Sequence, residues 1–390
     1  MITLRPGSHA YRLLLILSAV GEFPTRSVHL LGSVRTLEAL IHRLEVPQQF
    51  RSETGEDLGV RKMLTVSGKR DRRTIRLYKS ALPLLNTLHP DALTSYLALT
   101  GGHRFSGSIG HIQRSHRVAE AVAMCQGAGV EFRPYALPPL QKQRIAQVVP
   151  AAPCFYIARS LKRLDSTEMN KTIFTRLTGA LFTEGTCWAV YNTRGAVMKW
   201  SGMGEFKTAH HLAELARMNA GIPRADHALL LGEQMDVALQ TMLESDKSPR
   251  MELRFDRIYP HIHFIPMDRQ GIRLLKILTL PDWNEQLLSA VFPPELRTAG
   301  PGIMEYDAQR GGTFILSHLD GDLARLTRLR QALEHSEAPF EVLCFPWQTA
   351  FLHEYLGGRV ELREVAMDDL ESALGLTETE KWDMSEEAPV

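Results

Sequence analysis

Apolar side chains recur at helical spacing along the start of the chain. Leu13, Leu14, Ile16, Leu17 and Val20 give an opening helix a broad buried face, which Gly21 and Pro24 terminate. Thr25 is placed to cap a short second helix ending near Leu31, with Gly32 making the turn. Ser33 then caps a third, Val34–Leu44, whose Val34, Leu37, Ile41 and Leu44 fall at i, i+3, i+7 and i+10 and share one face. Arg35, Thr36, Ala39, His42 and Arg43 are left on the other side. Beyond Pro47 the polar stretch 48–59 reads as a loop. Lys62–Val66 and Thr74–Tyr78 then have the character of two strands of a hairpin.

The pattern changes after a Gly/Ser-rich break at 101–110. A helix is expected over Ser115–Gln126, with His116, Arg117 and Glu120 on its polar side. A strand at Phe155–Arg159, a helix at Thr167–Leu181, a hairpin of Cys187–Tyr191 with Ala196–Trp200, and a helix at His210–Asn219 follow. From His227 the chain alternates: strand His227–Leu231, helix Glu233–Leu243, a β pair of Ile262–Ile265 with Arg273–Leu278, and helix Trp283–Val291. Thr313–Leu316, Gly321–His335, Glu341–Phe345, Trp347–Leu356 and Val360–Glu364 then read as β-α-β-α-β, the rhythm of a parallel sheet covered by helices. The fold class expected is α/β in the mixed α+β sense, with a winged helix-turn-helix first. A degenerate nuclease-like scaffold is one form the rest could take. The divisions are 1–100, a mixed region 101–225, an α/β region 226–375, and an acidic, disordered tail 376–390.

Composition changes this picture in one respect. The 390 residues carry a net charge of only +1, but residues 1–80 hold 14 Lys and Arg against 7 Asp and Glu, a net of +7. Residues 361–390 hold 2 against 10, a net of −8. Such a split suggests nucleic-acid contact at the basic end. Cys125, Cys154, Cys187 and Cys344 are scattered and form no CxxC pair, as expected of reduced, buried thiols and not of a cysteine zinc site. No apolar run is long enough to span a membrane. Leu13–Val20 lacks an A-x-A cleavage signal, so a cytoplasmic location is expected.

The basic excess concentrates where chemistry can use it. Residues 67–73, between the two hairpin strands, carry Lys69, Arg70, Arg72 and Arg73. In a winged helix such a tip lies on the DNA backbone, where its cations neutralise phosphates, while the third helix enters the major groove. Arg35, Thr36, His42 and Arg43 are then the candidates for base edges, with arginine best suited to guanine. A solvated turn on a protein-binding trihelical module is the plainer alternative.

With these elements in place, residues ~8–135 resemble the replication-relaxation family of plasmids and integrative elements of Gram-positive bacteria. The resemblance rests on Tyr11–Val20, on Val34–Leu44 with an arginine near its start, on "TIRLYKSALPLL" at Thr74–Leu84 and Leu85, and on "RSHRVAEAVAMC" at 114–125. Tyr78-Lys79-Ser80-Ala81 departs from the commoner "LTxxG" ending of the wing strand. The resemblance implies duplex DNA as partner, a role in element replication or DNA relaxation, and replication or transfer proteins of the same element as further partners. It carries little beyond residue 150, and no cofactor is expected.

Three constellations raise the possibility of an enzyme. His261 and His263 alternate on a strand as the metal-binding histidines of HUH-type DNA nickases do, with Tyr355 downstream as nucleophile, although Arg359 stands where the replication-initiator form has lysine. Glu184 followed by Glu205-Phe206-Lys207 imitates the acidic and ExK elements of restriction-type nucleases, which hold Mg²⁺. "SHLDGD" at 317–322 places Asp320 and Asp322 at the carboxyl edge of the sheet, a ligand position that an ordinary N-cap also explains. There is no Walker loop, GxGxxG or GxSxG. DNA binding is therefore the function expected, with a metal-dependent nickase and a protein-interaction scaffold as alternatives.

Overall fold

The computed structural model describes residues 1–138, 144–162, 174, 176–198, 203–247, 254–297 and 305–376. They are mixed α and β, and the chain divides into two compact units, Met1–Phe182 and Thr183–Val390.

The first unit opens with β1 (Ile2–Leu4), α1 (His9–Val20) and β2 (Glu22–Pro24), followed by a 3₁₀ turn, Thr25–Leu30. Ser8 caps α1 by accepting the Tyr11 N–H, and every side chain from Leu13 to Val20 is buried. Next come α2 (Val34–Leu44), β3 (Gln48–Ser52), β4 (Asp57–Arg61), β5 (Leu64–Ser67) and β6 (Thr74–Leu77). Helix α2 has the expected bounds, but its buried stripe is Leu37, Leu40, Ile41 and Leu44, while Val34 is exposed in the first turn. The polar stretch expected to be a loop is instead the antiparallel pair β3–β4, with β1 added parallel to β3. Backbone pairing satisfies that segment although only Phe50 and Ser52 of β3 are buried. Strands β5 and β6 form the expected antiparallel hairpin, and β2 pairs with β6 to give the order β2-β6-β5.

Two short helices, α3 (Leu82–Leu88) and α4 (Pro90–Thr100), lead to the long α5 (Ile109–Gly127). The polar side expected of α5 faces inward. His116 and Glu120 are fully buried because they have partners there: His116 Nε2 lies 2.8 Å from Thr74 Oγ1, and Glu120 Oε1 accepts the Ser27 hydroxyl at 2.6 Å. The unit ends with α6 (Arg144–Val148), β7 (Cys154–Ile157), α7 (Ala158–Leu161) and an antiparallel partner of β7, β8 (Gly179–Thr183). The helix expected over Thr167–Leu181 falls largely outside the described residues, and its last positions are in β8.

In the second unit, β9 (Thr186–Arg194), α8 (Met203–Leu215), β10 (Arg224–Gly232), α9 (Met235–Asp246), α10 (Phe255–Ile258) and β11 (His261–Pro266) bring three strands together, with β10 parallel to both β9 and β11. Helices α11 (Arg269–Leu278) and α12 (Trp283–Val291) follow. A second sheet, β12-β13-β14-β15, is built from β12 (Ala308–Arg310), β13 (Thr313–Ser317), β14 (Phe340–Cys344) and β15 (Val360–Glu364). Its last three strands are parallel, with β12 antiparallel at the edge. Between these strands lie α13 (Leu323–Leu333) and α14 (Thr349–Leu356), and α15 (Met367–Ala373) comes last.

Two expectations fail here. Arg273–Leu278 belongs to a helix, because Asp268 caps the Gly271 N–H and Leu274, Leu275, Ile277 and Leu278 form a buried stripe. The hairpin expected at 187–200 is one strand running to Arg194, while Ala196–Met198 are not in a strand and 199–200 are outside the described residues. All four cysteines are free and buried. None of the described helices is long and apolar enough to cross a membrane. The tail after Leu376 is not among the described residues.

Candidate functional site

The exposed face of α2 and the tip of the β5–β6 hairpin hold the residues singled out for DNA. Arg35, His42 and Arg43 are exposed, while Thr36 is half-buried and gives its hydroxyl hydrogen to Ser33 Oγ. The Arg43 guanidinium donates to the Met1 carbonyl at 3.0 Å. At the tip, Lys69, Arg70, Arg72 and Arg73 are all exposed. Among the described residues none of the four is in an ion pair. The turn depends on Gly68, whose φ is +87° and whose place any Cβ would lose, standing 2.2 Å from the Arg72 carbonyl oxygen.

The second unit gathers a different set of groups. Parallel pairing places His227 of β10 beside His261 and Leu229 beside His263, with Trp188 of β9 in register on the other flank of His227. Side chains alternate along strands, so all these rings project from one face. The His227 ring stacks on His261 with centroids 4.5 Å apart and on His263 at 5.2 Å, and Trp188 lies 4.4 Å from His227. His227 Nδ1 is 3.0 Å from His263 Nε2.

The segment after β13 closes on these histidines. Phe264 N–H donates to the Gly321 carbonyl at 2.9 Å. Gly321 has φ +70°, and a Cβ there would stand 2.8 Å from the Phe264 carbonyl oxygen. Asp322 is the N-cap of α13, as the plainer sequence reading expects, but its carboxylate does more. Oδ1 accepts from the Ile262 and Ala324 N–H groups at 3.0 and 2.9 Å, and Oδ2 receives His261 Nδ1 at 2.7 Å. Asp320 Oδ1 accepts the Asp322 N–H, its Oδ2 stands 3.8 Å from His263 Nδ1, and its backbone carbonyl oxygen is 2.9 Å from the same nitrogen. Asp320, Asp322 and His263 thus present ligand atoms within 4.8 Å of one another, all buried.

A cavity of about 480 Å³ opens onto this cluster through His227, His261 and Asp320. Its lining carries six carboxylates, Asp226 and Asp307 among them, against the guanidinium groups of Arg224 and Arg325. Arg325 is held by Asp307 at 2.8 Å and Glu305 at 3.1 Å. Burial and then the neighbouring His263 and His261 push His227 down to about 2, so its ring is neutral. Burial works against protonation of His261 too, but the hydrogen bond and charge of Asp322 outweigh it and raise that ring. Asp322 shows the converse: burial opposes its charge, and the His261 hydrogen bond with the two imidazoles holds it below the usual carboxylate range. Asp320 and Asp307 are both raised by burial. Burial brings His318 down to about 3, and its Nε2 has no hydrogen-bond partner among the described residues.

The structure therefore joins two motifs that the sequence keeps 57 residues apart in His263 and Asp320. Of the two histidines on β11, an edge strand of its sheet, His261 is half-buried and His263 fully buried. Tyr355 is not drawn into the cluster: it is buried on α14, stacks on Phe351 and lies under the Arg330 guanidinium. Glu205 and Lys207 sit on helix α8 where the ExK element needs a strand, so they point about 160° apart, one buried and one exposed. Glu184 lines the cavity rim. Sequence reasoning missed His227, Asp226, Asp307 and Arg325, because nothing local marks them and only strand register and helix packing bring them in. No protein-family model, curated protein or solved structure matches the chain.

Proposed function

We propose that the first unit binds duplex DNA, with α2 directed to the major groove and the β5–β6 hairpin to the phosphate backbone. One observation carries this reading: four exposed cations at the hairpin tip, unpaired among the described residues, follow a helix whose open face bears Arg35, His42 and Arg43. The element order helix, strand, 3₁₀ turn, helix, then the β5–β6 hairpin after an interposed β3–β4 pair, and the sheet order β2-β6-β5 support a winged-helix arrangement. Like-charged side chains left in water at one tip contribute little to folding, but on DNA each can displace a counterion. The resemblance to the replication-relaxation family adds a role in the replication or relaxation of a mobile element, with its replication or transfer proteins as partners.

The test is fluorescence anisotropy on a labelled duplex across a salt series. Replacing Lys69, Arg70, Arg72 and Arg73 together by alanine should weaken binding about a hundredfold or more near 100 mM salt. It should also flatten the slope of log K against log salt by about 3 to 4. A variant with wild-type affinity and slope would remove the wing from the model, whereas no duplex binding by the wild-type chain would favour the scaffold reading.

A further inference from the structure

A hydrogen-bond chain runs through the second unit's histidines. Three contacts run in series: the Asp320 backbone oxygen to His263 Nδ1 at 2.9 Å, His263 Nε2 to His227 Nδ1 at 3.0 Å, and His227 Nε2 to Asp226 Oδ1 at 3.6 Å. A neutral imidazole carries one proton, on one nitrogen or the other. If His263 donates from Nδ1 to the Asp320 carbonyl, its Nε2 accepts from His227 Nδ1, and the bare His227 Nε2 faces a carboxylate. Asp226 Oδ1 is then a buried oxygen without a donor, and it has no hydrogen-bond partner among the described residues. In the other arrangement His227 Nε2–H is turned toward Asp226 and His263 Nε2–H is given to His227. The bare His263 Nδ1 then faces the Asp320 oxygen. With both rings neutral, one end of the chain sets acceptor against acceptor, a costly contact that one further proton or a bound cation removes.

A cation at the Asp320 end relieves the second arrangement, and the donor spacing suits one. Two donor atoms bound at right angles to one ion at ~2.1 Å stand ~3.0 Å apart, and opposed donors ~4.2 Å apart. His263 Nδ1 is 2.9 Å from the Asp320 carbonyl oxygen and 3.8 Å from Asp320 Oδ2, within that range. Asp322 Oδ2 keeps a second lone pair beside the one taken by His261, and the three side chains already lie within 4.8 Å of one another. The remaining groups have the form of an outer shell. His261 is anchored to one ligand carboxylate, and the ring nitrogen of His263 remote from the ion is hydrogen-bonded to His227, which leads on to Asp226. Histidines that bind metals are oriented through their other nitrogen in this way. The cavity beside the cluster offers six carboxylates against two arginines, an excess suited to a positive guest.

We propose that His263, Asp320 and Asp322 bind one divalent first-row transition ion, with His227 and His261 as positioning residues. The single imidazole nitrogen favours Zn²⁺ or Mn²⁺ over Ca²⁺, whose preferred donors are all oxygen. The site is independent of the DNA-binding reading, and its residues all belong to the second unit.

The experiment uses the full chain stripped with a chelator and titrated with Zn²⁺, Mn²⁺ and Ca²⁺ by calorimetry. One Zn²⁺ or Mn²⁺ per chain is expected, bound more tightly than Ca²⁺. Asp320→Asn, which keeps the oxygen that accepts the Asp322 N–H, should weaken binding by about tenfold or more. The fourfold alanine variant of the hairpin tip should bind the ion as wild type does, so that loss of DNA binding and loss of metal binding are read separately. If Asp320→Asn does not fold, histidine ring ¹⁵N shifts of the wild-type chain supply the answer, since Zn²⁺ should move Nδ1 of one fully buried imidazole. Absence of saturable binding, a preference for Ca²⁺, unchanged affinity in folded Asp320→Asn, or unmoved ring nitrogens would each overturn the proposal.

Discussion

Lys69, Arg70, Arg72 and Arg73 stand in water at a hairpin tip and make no ion pair among the described residues, whereas Asp320 and Asp322 are buried, Arg325 is half-buried, and each is met by several partners. In the proposed reading the tip is charge that meets DNA. Exposed charges of one sign repel one another and gain nothing from the fold, so their clustering calls for a reason beyond stability. In the second unit the charges answer each other across two sheets, and removing one strands the rest. The first region should lose its charges at little cost in stability, and the second at a large one.

The largest effect expected from this contrast is at Asp322. Its carboxylate caps α13, holds the Ile262 N–H and pairs with His261. Asp322→Ala leaves that imidazole and those amides without their acceptor, at a cost of ~3–5 kcal/mol in unfolding free energy. Urea denaturation checks it. The fourfold alanine variant of the hairpin tip should leave the urea midpoint within ~0.5 kcal/mol of wild type while its DNA affinity collapses. A small loss in the first variant, or a large one in the second, would break the comparison.

How much of this could be read from the sequence follows the same divide. Helix α2 and the basic tip are written locally: a helical stripe, a serine before it, four cations in seven residues. The 48–59 segment misled because its polar side chains conceal strands held by backbone pairing, β3 with β4 and with β1. Arg273–Leu278 misled because a short apolar run fits strand and helix alike, and the cap at Asp268 decides it. The H-x-H and DGD motifs are each visible, but their union rests on the Gly321 carbonyl accepting from Phe264, a contact between distant segments. His227 carries no local mark, and only its register against His261 gives it a role.

The contrast between the units is not absolute, since the first also hides polar groups. Glu120 is fully buried, accepts the Ser27 hydroxyl at 2.6 Å and has Arg26 3.9 Å away. Glu120→Ala should therefore destabilise the chain by ~1–3 kcal/mol. DNA affinity measured below the unfolding transition should stay within about threefold of wild type, about 0.65 kcal/mol. A selective loss of DNA binding in a fully folded Glu120→Ala chain would mean that α5 sets the geometry of the hairpin rather than only bracing its back.

The smallest effect is expected at Tyr355, and it separates a metal-bearing second unit from a tyrosine nickase. A nickase attacks the DNA phosphorus with the phenol oxygen, so removing that one atom abolishes strand cleavage. Tyr355 is 4% exposed, stacks on Phe351 with ring centroids 6.3 Å apart and lies under Arg330 at 4.7 Å. Phenylalanine keeps the ring and both contacts, so Tyr355→Phe should change stability by less than ~1 kcal/mol. Metal affinity should be unchanged, since none of the proposed ligands touches this ring. Supercoiled plasmid incubated with Mn²⁺ should give the same products with wild type and with Tyr355→Phe. Metal-dependent nicking by the wild type alone would make Tyr355 the nucleophile, and α14 would then have to open to deliver it.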